Sequence, residues 1–282
     1  MIELLQFEFM QRAIVMATVT GALCAVIGVY VVLRGMSFIG AGIAHASFGG
    51  VALGLFAGLN PFFSALMFCT AVAWGIGYMS ESKHVREDTA VGIFFASTMA
   101  FGVLLVGFLR GYNIDLFGYI FGNILAVTRF DVWASVVLAV VIILIILFLF
   151  KEFLFLTFDS EAARVAGLPV RFLNYLMLTL IALTIVMSIK AVGIVLVSAL
   201  IVAPAAAAQQ LTLDFKRMMF YAVGLGILSS WIGLLLSSLL DIASGATIVL
   251  TATLIFFISS LLSPHRRHMR RRMAMLHKDV QS

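Results

Sequence analysis

FDSEAARVAGLPVRF, residues 158–172, interrupts a chain that is otherwise a succession of apolar runs. Asp159, Glu161, Arg164 and Arg171 make it too polar to lie in lipid. Its local signals are those of a short helix. Asp159 or Ser160 can cap the N-terminus, Glu161 falls in the first turn where the macrodipole favours a carboxylate, and Gly167 followed by Pro169 stops the helix. Ala162, Ala163, Val165 and Ala166 give it a face of small side chains. Held between two apolar spans, such a helix suits close docking into a partner's groove. The plain alternative is a connector that packs on its own protein.

The rest of the chain says what holds this helix. Of 282 residues, 63% are hydrophobic and 11% charged, and the mean hydropathy is +1.16. A soluble domain carries about a quarter charged residues, so the chain reads as an integral membrane protein. Glu3 and Glu8 stand where a cleavable signal would carry positive charge. Cys24 and Cys69 lie singly in apolar runs and suggest small buried side chains rather than a disulfide framework.

A spanning helix needs roughly 20 apolar residues. Nine stretches qualify: about 12–33, 37–59, 61–80, 90–109, 132–150, 171–189, 191–211, 218–239 and 243–262. A tenth, DLFGYIFGNILAV at 115–127, is too short to cross at about 1.5 Å per residue. It reads as a re-entrant or surface-lying helix, tolerated at membrane depth where protein surrounds it or it lines a cavity. The expected architecture is all-α and polytopic: a single transmembrane domain over 1–264, with the polar helix at about 158–168, and a basic tail over 265–282.

Orientation follows from lysine and arginine. With nine alternating spans, one side holds Arg34, Lys83, Arg86, Lys151, Arg164, Arg171, Lys216, Arg217 and the six in the tail, fourteen of the chain's eighteen. The other side holds Arg12, Arg110, Arg129 and Lys190. This predicts an outside N-terminus and a cytoplasmic C-terminus, in the cell membrane. A crossing at 115–127 would move Arg34, Lys83 and Arg86 outside, so charge and length agree. The polar helix is then cytoplasmic, between the fifth and sixth spans. The tail, HRRHMRRRMAMLHK, is suited to anionic lipid.

D-x-E-x-A-R-x-x-G-L-P at 159–169 resembles the coupling helix of bacterial ABC-type permeases that import zinc, manganese or iron. AVGIVLVSALIVAPAAAAQQ at 191–210 is similar to that family's V-G-x-L-L-V-x-A-L-L-x-x-P-A-A-x-A segment. EDTAVGIFFA at 87–96, IFGNIL at 120–125 and RGMSFIGAGIAHASFGGVALG at 34–54 match it in the same order. The layout also resembles the cobalamin-permease fold with one N-terminal span fewer. The resemblance implies a homodimeric pathway in the bilayer, a cytoplasmic ATPase dimer contacting Asp159, Glu161, Ala162, Arg164, Ala166 and Gly167, and an extracellular or periplasmic metal-binding protein. It implies no bound cofactor, the divalent ion being cargo, and no nucleic-acid partner. The chain carries no G-x-x-x-x-G-K-[ST] to cradle ATP phosphates, so hydrolysis is expected from another polypeptide.

Within the spans, Gly40, Gly42, Gly49 and Gly50 crowd the second one. They predict close helix packing, and with Pro204 in the seventh they are candidates to line the pathway. His45 is the one histidine inside an expected span. A buried imidazole at membrane depth is a functional candidate, and as a neutral ligand it suits Zn²⁺ or Mn²⁺. Its plain alternative is a structural bond to a carbonyl. Related permeases often read G-D-A-L-S-H, with an Asp one turn before the histidine; here that position is Ala41. Loss of a hard oxygen ligand shifts the preference slightly from Mn²⁺ toward Zn²⁺. Asp115 and Asn123 flank the short stretch and could form an entrance, while Asp131 and Asp241 read as helix ends. An ABC permease for a siderophore or cobalamin chelate shares this architecture, and an ion-coupled secondary transporter is a further alternative. The latter usually shows acidic or histidine relays inside its spans, and no clear mid-span carboxylate occurs here.

Overall fold

A computed structural model describes residues 7–81, 85–109, 116–122, 124 and 127–263. The regular elements among the described residues are all helices. In chain order they are α1 (Glu8–Leu33), α2 (Ser37–Phe56), α3 (Pro61–Glu81), α4 (Glu87–Phe108), α5 (Leu116–Phe121), α6 (Arg129–Phe148), α7 (Phe150–Phe158), α8 (Ser160–Val165), α9 (Val170–Val192), α10 (Ile194–Leu211), α11 (Phe215–Leu240) and α12 (Ser244–Leu262). Among the described residues, nine of these are long and apolar enough to cross a membrane: α1, α2, α3, α4, α6, α9, α10, α11 and α12.

The contacts fix which ends lie together. Glu8 at the start of α1 pairs with Arg129 at the start of α6, Oε2 to Nη2 2.6 Å. Phe56 at the end of α2 meets Phe108 at the end of α4, ring centroids 6.5 Å apart. At the other end, Arg34 Nη2 donates to Asn174 Oδ1 of α9 at 2.6 Å. There Glu81, closing α3, pairs with Arg171 at 3.2 Å. The bundle therefore has an α5 end and an α8 end, and the long helices alternate between them. The chain leaves α4 and enters α6 at the same end, so the segment carrying α5 does not cross. Its helix is shorter than the sequence suggests, six residues rather than most of 115–127, because the backbone turns at Gly122 with φ +73°.

Packing is close because the crossings are made of small residues. Lipid is as apolar as leucine, so helices associate in it by fit rather than by escape from water. α1 crosses α11 at Gly21 and Gly226, where a methyl on Gly21 would meet the Gly226 carbonyl oxygen at 2.6 Å. α2 lies against α3 and α4 in the same way: a methyl on Gly50 would sit 2.7 Å from Ala65 Cα, and one on Gly49 2.8 Å from the Thr98 carbonyl. α1, α2 and α9 are the most enclosed spans, while α3, α4 and α6 turn most of their surface outward.

One element is unforeseen in the sequence. Residues 150–158, read there as span end and connection, form α7, which follows α6 after a break at Leu149 (φ −101°, ψ 26°). Phe153 and Leu156 bury its inner side. Phe150 and Phe158 stack edge-on against Phe215 of α11 at 5.6 and 6.3 Å. This aromatic seat anchors the strap leading to α8.

Candidate functional site

α8 is built from local chemistry. Asp159 is its N-cap and accepts from Ala162 N at 2.8 Å. Its C-terminus is closed by Gly167, whose φ of +83° lets Gly167 N–H reach Arg164 O at 3.1 Å and Leu168 N–H reach Ala163 O at 3.1 Å. That reciprocal pair satisfies carbonyls a six-residue helix would otherwise leave bare. The four small residues do not share one face. Ala163 is fully buried against its own chain, Ala162 is half-buried, and Val165 and Ala166 are open, Val165 being 89% exposed. Spacing decides this: Ala163 lies one turn from Asp159 and points back to α7 and α9, while Val165 is turned away. Glu161, Arg164 and Gly167 are exposed beside it.

His45 lies half-buried on α2, its ring 4.3 Å from that of Phe95 on α4. Nδ1 is 2.9 Å from the carbonyl oxygen of Ala41. A carbonyl only accepts, so Nδ1 donates in this bond, and in the neutral ring Nε2 then holds the lone pair. The structural bond and a ligand role are thus compatible, since each uses a different nitrogen. Gly40, five residues earlier, faces α10, where a methyl would come within 3.9 Å of Ser198 Cβ. Gly42, Gly49 and Gly50 face α3 and α4 instead and are packing positions. Pro204 sits buried inside α10. Gly28 of α1 is pressed against the carbonyl of Ile201 in the turn before it. Among the described residues, no three His, Cys, Asp or Glu side chains gather to hold a metal. Asp115 and Asn123 fall outside the described residues.

The α5 end holds what sequence reasoning missed. Three backbones meet there through glycine. A methyl on Gly193, which has φ +95° and forms the whole connection between α9 and α10, would meet Ile120 O at 2.5 Å. One on Gly122 would meet Gly193 N at 2.5 Å, and one on Gly245 of α12 would meet Phe121 O at 2.5 Å. Ser244 Oγ accepts from the buried Ile124 N at 3.2 Å. The short helix is thereby wedged against the head of α10. Beside it, Asp131 is more than an ordinary helix end. It closes a capping box with Thr128, is buried, and takes Lys190 Nζ of α9 on Oδ1 at 2.5 Å. The sequence signal was three glycines at 122, 193 and 245, which name no partners. At the α8 end, burial lowers the Arg34 guanidinium from its ordinary value, opposed by the charge of Glu87.

Nine apolar helices among the described residues, a non-crossing helix at one end and a capped polar helix at the other give the layout of a multi-pass membrane permease, and the comparisons that follow place it in the ABC-type metal-transport class of the cytoplasmic membrane. ATP hydrolysis belongs to a separate subunit. The chain belongs to the ABC 3 transport family, whose profile matches residues 6–263. It is 40% identical over 261 residues to the manganese transport system membrane protein MntC of Listeria monocytogenes, covering 93% of each chain. It is 37% identical over 275 residues to the chelated iron transport system membrane protein YfeD of Yersinia pestis, covering 97% of this chain and 92% of that one. The solved structure of PsaBC from Streptococcus pneumoniae in complex with Fab superposes with a TM-score of 0.87 at 36% identity, covering 96% of this chain and 98% of that one.

Proposed function

We propose that two copies of this chain form the membrane pathway of an importer for a divalent transition-metal ion, with Mn²⁺ as the cargo. The 40% identity to a manganese transport membrane protein over 93% of both chains carries this reading. The orientation is the one the lysine and arginine distribution favours: N-terminus outside, α8 in the cytoplasm. In that frame α8 meets the ATPase subunit through Val165, Ala166 and the open side of Ala162, with Glu161 and Arg164 at the rim. The α5 end then faces the protein that delivers metal, and His45 Nε2 touches the ion as it passes along α2 and α10. Ala41 in place of a carboxylate favours a second cargo, Zn²⁺, because imidazole without a hard oxygen suits zinc better.

The test is uptake of radioactive Mn²⁺ and Zn²⁺ by cells lacking other importers, with the ATPase and binding-protein partners co-expressed. Mn²⁺ accumulation that needs ATP and this chain is the expected result. Accumulation of Zn²⁺ alone reverses the cargo, and accumulation of neither rejects the reading. His45→Ala should cut uptake at limiting metal about ten-fold while leaving the assembled complex intact. Unchanged uptake would leave His45 with only its bond to Ala41.

A further inference from the structure

A lateral groove of about 970 Å³ opens between α3 and α9 beside α8. Its walls include Trp74, Phe172, Tyr175, Leu176 and Thr179. Trp74 is fixed in place, its Nε1 donating to Thr179 Oγ1 at 2.9 Å and its ring edge-on to Tyr175 at 6.3 Å. Along α9 the lining runs from Val170 to Thr179. Nine steps of about 1.5 Å make this roughly 14 Å, close to half of a hydrocarbon core about 30 Å thick. The groove is therefore one leaflet deep. Its α8 end carries two guanidiniums, Arg164 and Arg171. Arg171 leans on the Tyr175 ring at 5.9 Å and is held by Glu81 through Nε at 3.2 Å. Arg164 is exposed and has no ion pair among the described residues.

We infer that this groove binds an anionic phospholipid of the leaflet on the α8 side. Its acyl chain would lie against Trp74, Phe172 and Tyr175, and its phosphate would sit between Arg164 and Arg171. The occupant must be apolar over one leaflet and negative at one end, and a glycerophospholipid such as phosphatidylglycerol has that form. A second copy of a chain with net charge +5 brings no excess of negative charge to the two arginines. The pose also joins α8 to the bilayer. Arg164 belongs to α8 and Arg171 to the first turn of α9, so one headgroup would bridge the polar helix and the span behind it. Guanidinium suits this role because it offers phosphate a planar, bidentate fork.

Trp74 is the reporter. The full chain carrying Trp133→Phe and Trp231→Phe would be placed in vesicles of zwitterionic phosphatidylcholine. A rising fraction of phosphatidylglycerol or of phosphatidylcholine, brominated on the acyl chain, would then be added. Trp74 fluorescence should be half-quenched at a mole fraction at least five-fold lower for the anionic lipid. Arg171→Gln and Arg164→Gln should each reduce that preference by about five-fold, the worth of one arginine at a membrane surface. Arg171→Lys should retain most of it. Lys216→Gln, which removes a positive charge outside the groove, should leave it unchanged. Equal quenching by the two lipids means ordinary annular contact and overturns the proposal. Absence of quenching means the groove is covered by protein and also overturns it. An equal loss in Lys216→Gln and the arginine variants would reduce the effect to diffuse surface charge.

Discussion

The two ends of the bundle carry short helices of the same length, six residues each, and they are held in opposite ways. α8 is stabilised from within: Asp159 caps it, Gly167 closes it, and one side chain, Ala163, anchors it to the rest of the chain. α5 is stabilised from without, by backbone contact with the α9–α10 turn and the start of α12. A helix that satisfies its own termini can stand out from the surface and offer Val165 and Ala166 to another protein. A helix wedged into its neighbours cannot shift without moving the head of α10. The α8 end stands exposed, and the α5 end is locked into its neighbours.

Gly193 and Gly167 put this contrast to the sharpest test, since both have positive φ, +95° and +83°. Gly193→Val places side-chain carbons onto the backbone of Phe121 and forces a β-branched residue into left-handed space. We expect a loss on the order of 4 kcal/mol or more, seen as failure to purify as a monodisperse species or as a large fall in Tm. A Gly193→Val protein as stable as wild type would mean the three-glycine junction is not a contact at all.

Next is a change that should leave stability alone. Val165→Asp sits on the open side of α8, so Tm should hold. An unpaired charge in the contact with the ATPase subunit would cost about 2–5 kcal/mol of binding, enough to abolish co-purification and uptake. Ala162→Asp should act likewise, but Ala162 is half-buried, which makes Val165 the cleaner probe. A Val165→Asp permease that retains its ATPase and transports normally would reduce α8 to a connector.

The buried ion pair at the α5 end gives an intermediate effect. Lys190→Ala strands the buried Asp131 carboxylate and should cost about 3 kcal/mol. Asp131→Ala should cost less, because Lys190 retains partial access to solvent. Equal Tm shifts for the two would show that Asp131 is better hydrated than its burial indicates. The smallest effect should come from Gly167→Ala. Nothing lies within 4 Å of the site a methyl would fill, so only the cost of left-handed backbone remains, about 1 kcal/mol. A loss as large as that of Gly193→Val would erase the distinction between the two ends.

The sequence alone determined the elements whose cause is local or one-dimensional. Nine spans follow from hydropathy, because a bilayer grades each segment by its length and apolarity regardless of its neighbours. The failure of α5 to cross follows from its length, and the limits of α8 follow from Asp159, Gly167 and Pro169, whose partners are within five residues. The tertiary structure decided everything that depends on which helices meet. That Gly122, Gly193 and Gly245 share one contact and that Asp131 answers Lys190 across fifty-nine positions are not written in any local pattern. In lipid, apolar side chains gain nothing by leaving one apolar surface for another. The choice of neighbour therefore rests on fit between small residues and on a few polar pairs, and fit exists only once both surfaces are in place.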